Sequence, residues 1–311
     1  MNSERLERVK RDYDAWWRGE NTDPVLYMIY PEKPIDYSPV ARDWMAPAIT
    51  KGWSNWQQEF VFGQAVLKVQ ETGEWHYVDE ALDLLDYYAE HTAHAAQGYP
   101  FLFPTVGAAM MQALIVGYAQ FRDTSIWLEM PEPMDWDDIL ALEQNVRSEL
   151  ADVVMEALRK AVDRLQDKYV FAYPELGGRL DVLATMRGTQ NLLFDLIDCP
   201  DNVQQALDAL ETLWWKFHAE FDDIIAPGNH GCYTIAMRLL SPAPMECGTC
   251  DFSAMISPDM FGQFVMPFLR RQAEHFDGRI VWHLDGPGEL PHLNHLLPFE
   301  GVHAIQWVSG A

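Results

Sequence analysis

An imidazole and a carboxylate two residues apart, His283 and Asp285, close the apolar run Val281-Trp282-His283-Leu284-Asp285, directly before the turn Gly286-Pro287-Gly288. Side chains alternate along a strand, so the two leave it on the same face. The glycines of the turn let backbone approach a ligand closely. Such a pair can hold a divalent metal or act as an acid/base couple. A hydrogen bond between them that merely fixes the turn is the plainer alternative.

Two further clusters have the residue types for chemistry. In Tyr173-Pro174-Glu175-Leu176-Gly177-Gly178-Arg179-Leu180-Asp181, polar groups gather where a strand passes into a helix. Glu175 can serve as an acid/base group or substrate anchor, while Arg179 and Asp181 can equally pair with each other on the surface. Asp251, shortly before the helix cap Ser257, is read as a polar group facing a pocket. Its neighbours Cys247 and Cys250 form a C-x-x-C, but the other half of a four-thiolate site is missing and chance proximity is the better account. His91 and His94 are read as a solvated pair on one helix face, and His292, His295 and His303 as surface or packing residues. Nucleotide-binding glycine motifs, G-x-S-x-G elbows and H-E-x-x-H zinc helices are absent from the sequence.

The elements that must position these groups alternate. Helical periodicity covers roughly 4–18, 57–70, 80–96, 108–121, 135–167, 201–221 and 257–276. Between them lie seven apolar strand candidates: 24–30, 99–104, 125–130, 169–174, 232–237, 279–283 and 304–308. This order implies an α/β fold. A Trp-rich stretch holding Trp44, Trp53 and Trp56 is read as an excursion capping one end. No linker or repeat marks a second domain, so residues 1–311 are read as one domain with an N-terminal helical extension over 1–22. An open doubly wound sheet is the alternative arrangement.

Composition narrows the function classes. The 311 residues include 12 Trp and 15 Phe, enough large apolar groups to build a core rather than a disordered chain. A formal charge of −25 repels a phosphate backbone, so nucleic-acid binding is not expected. It also disfavours a strongly anionic ligand, unless local Arg and Lys override the average. The charged N-terminus lacks a secretory segment, and no run is apolar enough to span a membrane. The expectation is a cytoplasmic protein with reduced thiols.

At the strand-to-helix passages the sequence resembles the uroporphyrinogen decarboxylase superfamily. The matching stretches are Tyr173 to Gly178 through Gly188, Asp251-Phe252-Ser253-Ala254-Met255-Ile256-Ser257-Pro258-Asp259-Met260-Phe261, the helix from Phe264 to Arg271, Trp282 to Gly286, and Ala304 to Val308. The resemblance implies a TIM (β/α)8-type barrel with its pocket at the strands' C-terminal ends. Such a barrel has eight strands and seven are read here, so one lies in a misread region or the C-terminal strand is lacking.

The superfamily's methylcobamide:coenzyme M methyltransferases carry His-x-Cys at the strand matching Trp282-His283, plus a later Cys, and bind zinc to activate a thiol. Here Asp285 stands in place of the first Cys. The implied function is metal-assisted methyl transfer, with His283 and Asp285 as ligands to zinc or another divalent metal and a corrinoid supplied by a partner protein. Glu175 and Asp251 are then the catalytic candidates. Tyr27, Tyr173, Arg179 and Trp282 are the candidates for contact with a small-molecule substrate. Cofactor-free decarboxylation of a carboxylated tetrapyrrole or aromatic ranks second, because the first strand lacks the decarboxylase's arginines and 99–104 lacks its Asp. A non-catalytic barrel binding a small molecule or corrinoid is the third reading.

Overall fold

The computed structural model of the chain describes residues 3–21, 23–46, 60–107, 110–117, 119–122, 125–127, 130–142 and 146–309. Trp53 and Trp56 of the expected excursion lie outside them. The N-terminal helix Ser3–Trp17 forms as its periodicity predicts, burying Leu6, Val9, Tyr13 and Trp17 along one stripe. The Trp17 indole N–H donates to the Leu240 carbonyl at 2.9 Å, tying that helix to the strand layer.

The strands are β1 (Tyr27–Pro31), β2 (Thr92–Ala96), β3 (Phe101–Leu102), β4 (Gln120–Arg122), β5 (Ser125–Trp127), β6 (Val170–Phe171), β7 (Tyr233–Thr234), β8 (Leu240–Ser241), β9 (Glu246–Gly248), β10 (Ile280–Asp285) and β11 (Ala304–Val308). Among the described residues they form five small sheets rather than one closed ring. The three-stranded sheet β9–β10–β11 is parallel with β10 in the centre, setting His283 opposite Gln306 and Val281 opposite Cys247. Strands β3 and β6 are also parallel, and the Tyr173 N–H donates to the Thr234 carbonyl at 2.9 Å, linking β6 to β7. The architecture is mixed α/β, with twelve α-helices around these sheets among the described residues.

Several element boundaries differ from expectation. The helix expected over 80–96 stops at Glu90, and Thr92–Ala96 pairs antiparallel with β1. His91 and His94 therefore do not share a helix face: His91 stacks on Tyr87, while His94 sits in the strand. The helix expected over 135–167 is broken into Trp136–Leu140 and Glu149–Leu165. Ser148 opens the second piece, its hydroxyl accepting from the Ala151 N–H at 3.1 Å, a cap that competes with continued helix. Helix Pro200–Ile225 starts with Pro200 at its first position rather than with Asp201 as cap. Ser257 does cap its helix, accepting from the Met260 N–H at 3.3 Å, but that helix breaks at Val265. Pro267, with no N–H to give back to the preceding turn, explains the break.

The missed strand β9 reads Glu-Cys-Gly, too short and too poor in β-branched residues to announce itself. The main core lies between the helices and the sheets. Leu150, Val154, Leu158 and Leu165 face Val203, Leu207, Leu210, Phe217 and Phe221 of the longest helix within one buried cluster. Each such side chain contributes roughly 1.5–3 kcal/mol through burial.

Candidate functional site

Strand β10 is buried at Ile280, Val281, Trp282 and Leu284 and half-buried at His283 and Asp285. Flanked on both edges, it is rigid, so the two polar side chains at its C-terminal end are held by the sheet. Gly286 follows with φ of 79°, a left-handed turn that its lack of Cβ permits, and its N–H donates to the Val308 carbonyl at 2.9 Å. From the next layer, the 3-10 helix Asp251–Met255 presents Asp251 at its first residue. Ligand atoms of Asp251, His283 and Asp285 all lie within 4.8 Å of one another. The sequence had marked all three, and the fold brings them together.

His283 is fixed from behind. Its Nδ1 bonds to the Gln306 side-chain oxygen across the β10–β11 ladder, so Nδ1–H donates and Nε2 keeps its lone pair. A ring nitrogen held this way is the usual support of a metal-binding imidazole. Asp251 accepts from the Thr249 hydroxyl at 3.2 Å. The set of one nitrogen and two carboxylates fits a divalent cation of intermediate hardness.

Glu175 follows β6 beside this trio. Burial first, then the negative charge of Asp251, pushes its carboxyl above the usual range, against the opposing pull of His283. Asp181, in the first turn of helix Arg179–Arg187, is pushed up to about 7 by burial and by Asp251, although it accepts the Phe252 N–H at 2.8 Å. The Cys247 thiol is buried and pushed well up, first by desolvation and then by Glu175. All four cysteines are free thiols.

A cleft of about 730 Å³ opens over this end of the strands, lined by Tyr27, Phe103, Glu175, Met237, Arg238, Cys247, His283 and Gln306, among others. Tyr27 thus reaches the cleft, its hydroxyl donating to the Tyr99 carbonyl at 2.9 Å. Three other residues assigned to substrate do not line it. Tyr173 is buried and donates to Asp222, stacked between His218 and Tyr233. Arg179 is 3% exposed and bonds Glu211 at 2.9 Å, with its guanidinium 4.5 Å from the Phe268 ring centroid. It therefore does not pair with Asp181. Trp282 is buried beside Phe261, on the face of β10 opposite His283.

Sequence reasoning missed Arg238, Gln306 and the place of Cys247 in the cleft lining. Gln306 had a signal, a polar residue at the central position of an apolar strand. Arg238 had none, since it sits in the β7–β8 turn with φ of 60°, a conformation that only folding could reveal. Its guanidinium lies 5.3 Å from the Tyr27 ring and 4.7 Å from the Phe101 ring. Among the described residues no helix is long and apolar enough to cross a membrane.

No family model matches the sequence, and no curated protein matches it. Among solved structures, the chain is similar to a methyltransferase from Methanosarcina mazei, with a TM-score of 0.51 and 14% sequence identity, covering 96% of this chain and 75% of that one. At that identity the likeness is one of fold, a mixed α/β architecture shared across nearly the whole chain.

Proposed function

We propose that the protein is a methyltransferase-type enzyme on a (β/α)-barrel scaffold, acting on a small molecule in the cleft above β10. The observation that carries this reading is the convergence of Asp251, His283 and Asp285 within 4.8 Å, with His283 among the residues lining a 730 Å³ cleft. His283, through Nε2, and the two carboxylates would hold a divalent cation. When bound, such a cation lowers the pKa of a thiol or hydroxyl and so makes a nucleophile available at neutral pH.

The remaining work falls to the chain's own residues. Tyr27, Phe103 and Met237 provide an apolar wall to the cleft. Gln306 keeps the imidazole in one orientation. Glu175, its carboxyl biased toward the neutral form, stands where it can take or return the proton of the nucleophile. The sequence resemblance adds a corrinoid protein as methyl donor. The fold shared with a methyltransferase is compatible with methyl transfer at a general level, and a cleft lining with one Arg or Lys, Arg238, among the described residues argues against a substrate with many carboxylates.

Metal content of purified protein tests the reading. Wild type should hold about one zinc or other divalent ion per chain, with His283→Ala and Asp285→Ala losing it by 10-fold or more in affinity. Negligible and equal metal in all three would overturn it. Demethylation of methylcobalamin in the presence of small thiols is the companion assay.

A further inference from the structure

Behind the trio, the 3-10 helix Pro287–His292 runs directly on from the Gly286 turn and packs against the 3-10 helix Asp251–Met255. Glu289 is 1% exposed, and one of its carboxylate oxygens accepts the backbone N–H of Asp285 at 3.1 Å. Its other oxygen is buried with no partner, in a carboxyl whose electrostatic neighbours are Asp251, Asp181 and Asp285. His292 is fully buried, and its Nε2 bonds to the Ser253 carbonyl at 2.8 Å, while its ring stacks on Phe261 at 4.4 Å. Just before Glu289, a Cβ on Gly288 would stand 2.9 Å from the Ala254 Cβ, so the two short helices touch without room to spare.

One short helix thus grips the backbone on both sides of the site. Glu289 holds the residue that bears one carboxylate, and His292 holds the segment that bears the other.

We infer that Glu289 and His292 are positioning residues that lock the separation of Asp251 and Asp285 and thereby set the cation affinity of the trio with His283. The inference rests on the metal reading of that site. Glu289 acts through its acceptor oxygen on the Asp285 amide, and His292 through its donor on the Ser253 carbonyl. Neither is a ligand.

Two measurements on the full chain separate this inference from the reading beneath it. Hydrogen exchange, which needs no metal, should show faster exchange in peptides covering 251–255 and 285–292 for Glu289→Ala and for His292→Phe, which keeps the ring stack. Co2+ titration followed by its visible d–d absorption should show binding weakened about 10- to 100-fold in Glu289→Ala and an altered band shape. Glu289→Gln, which keeps an acceptor oxygen, should restore both. Unchanged exchange in the Ala and Phe variants overturns the lock, whatever the metal result. Wild-type Co2+ binding matched by Glu289→Ala overturns its role in affinity. Glu289→Gln failing alongside Glu289→Ala while folded overturns the hydrogen-bond account. Absence of Co2+ binding by wild type sinks the metal reading and the positioning role together, while leaving the exchange result to decide the lock.

Discussion

Glu246 sits on β9 next to Cys247 but on the other face, where its side chain meets His218 rather than the cleft. Burial pushes its carboxyl up from an ordinary 4.5 to about 8 and pushes the His218 imidazole down to about 4. At neutral pH both groups are therefore uncharged, and their 3.8 Å approach is packing rather than an ion pair. The consequence for stability has a definite sign. Between 4.5 and 8 the unfolded chain loses the Glu246 proton while the folded chain keeps it, so this residue's contribution falls as pH rises and is flat beyond about 8. Glu246→Gln retains an acceptor for the Cys247 N–H, now made at 2.9 Å. It should stabilise the protein on the order of 2 kcal/mol more at about pH 8 than at about pH 5. Denaturant melts at the two pH values check this, and parallel curves for wild type and variant would remove the argument.

The element that delivers Asp251 is a short segment leaning on the start of helix Arg179–Arg187. A Cβ on Gly178 would stand 2.4 Å from the Thr249 carbonyl oxygen and 2.5 Å from an Asp181 carboxylate oxygen. Backbone cannot yield as a flexible side chain would, so Gly178→Ala must push residues 249–252 away from the helix. The Asp181 bond to the Phe252 N–H, 2.8 Å long, goes with it. Overpacking of this kind costs about 1–3 kcal/mol. The melting temperature should fall and Co2+ affinity should weaken together; a variant that melts lower but titrates like wild type would show that this contact does not set the site.

Across the molecule, the residues that looked functional divide between the cleft and the core. Arg179 is the clearest case of the second. Its guanidinium spans the Leu207 carbonyl at 3.0 Å, Glu211 and the Phe268 ring, joining three helices, and it is not part of the cleft lining. Glu211 also binds Arg271, so removing Arg179 leaves that carboxylate one cation short rather than alone. Arg179→Ala should cost about 3 kcal/mol of stability. Ligand and metal affinity should stay within the error of wild type when measured below the variant's melting range. A selective loss of ligand affinity would return Arg179 to the site.

Periodicity and alternation alone determined much of this protein: the N-terminal helix, the Ser257 cap, strands β10 and β11, and the shared face of His283 and Asp285. These features are local, because side-chain direction and capping depend on a few neighbouring residues. The tertiary structure decided which polar groups meet. Asp251 reaches His283 only because β9 and its following turn pack beside β10, and β9 was too short to read. Gln306 finds the imidazole by strand register, Arg238 enters the cleft through a left-handed turn, and Arg179 leaves it because Glu211 on a distant helix offers a partner. Long-range pairing of charge and burial is a property of the packed chain, and no window of sequence holds both halves of it.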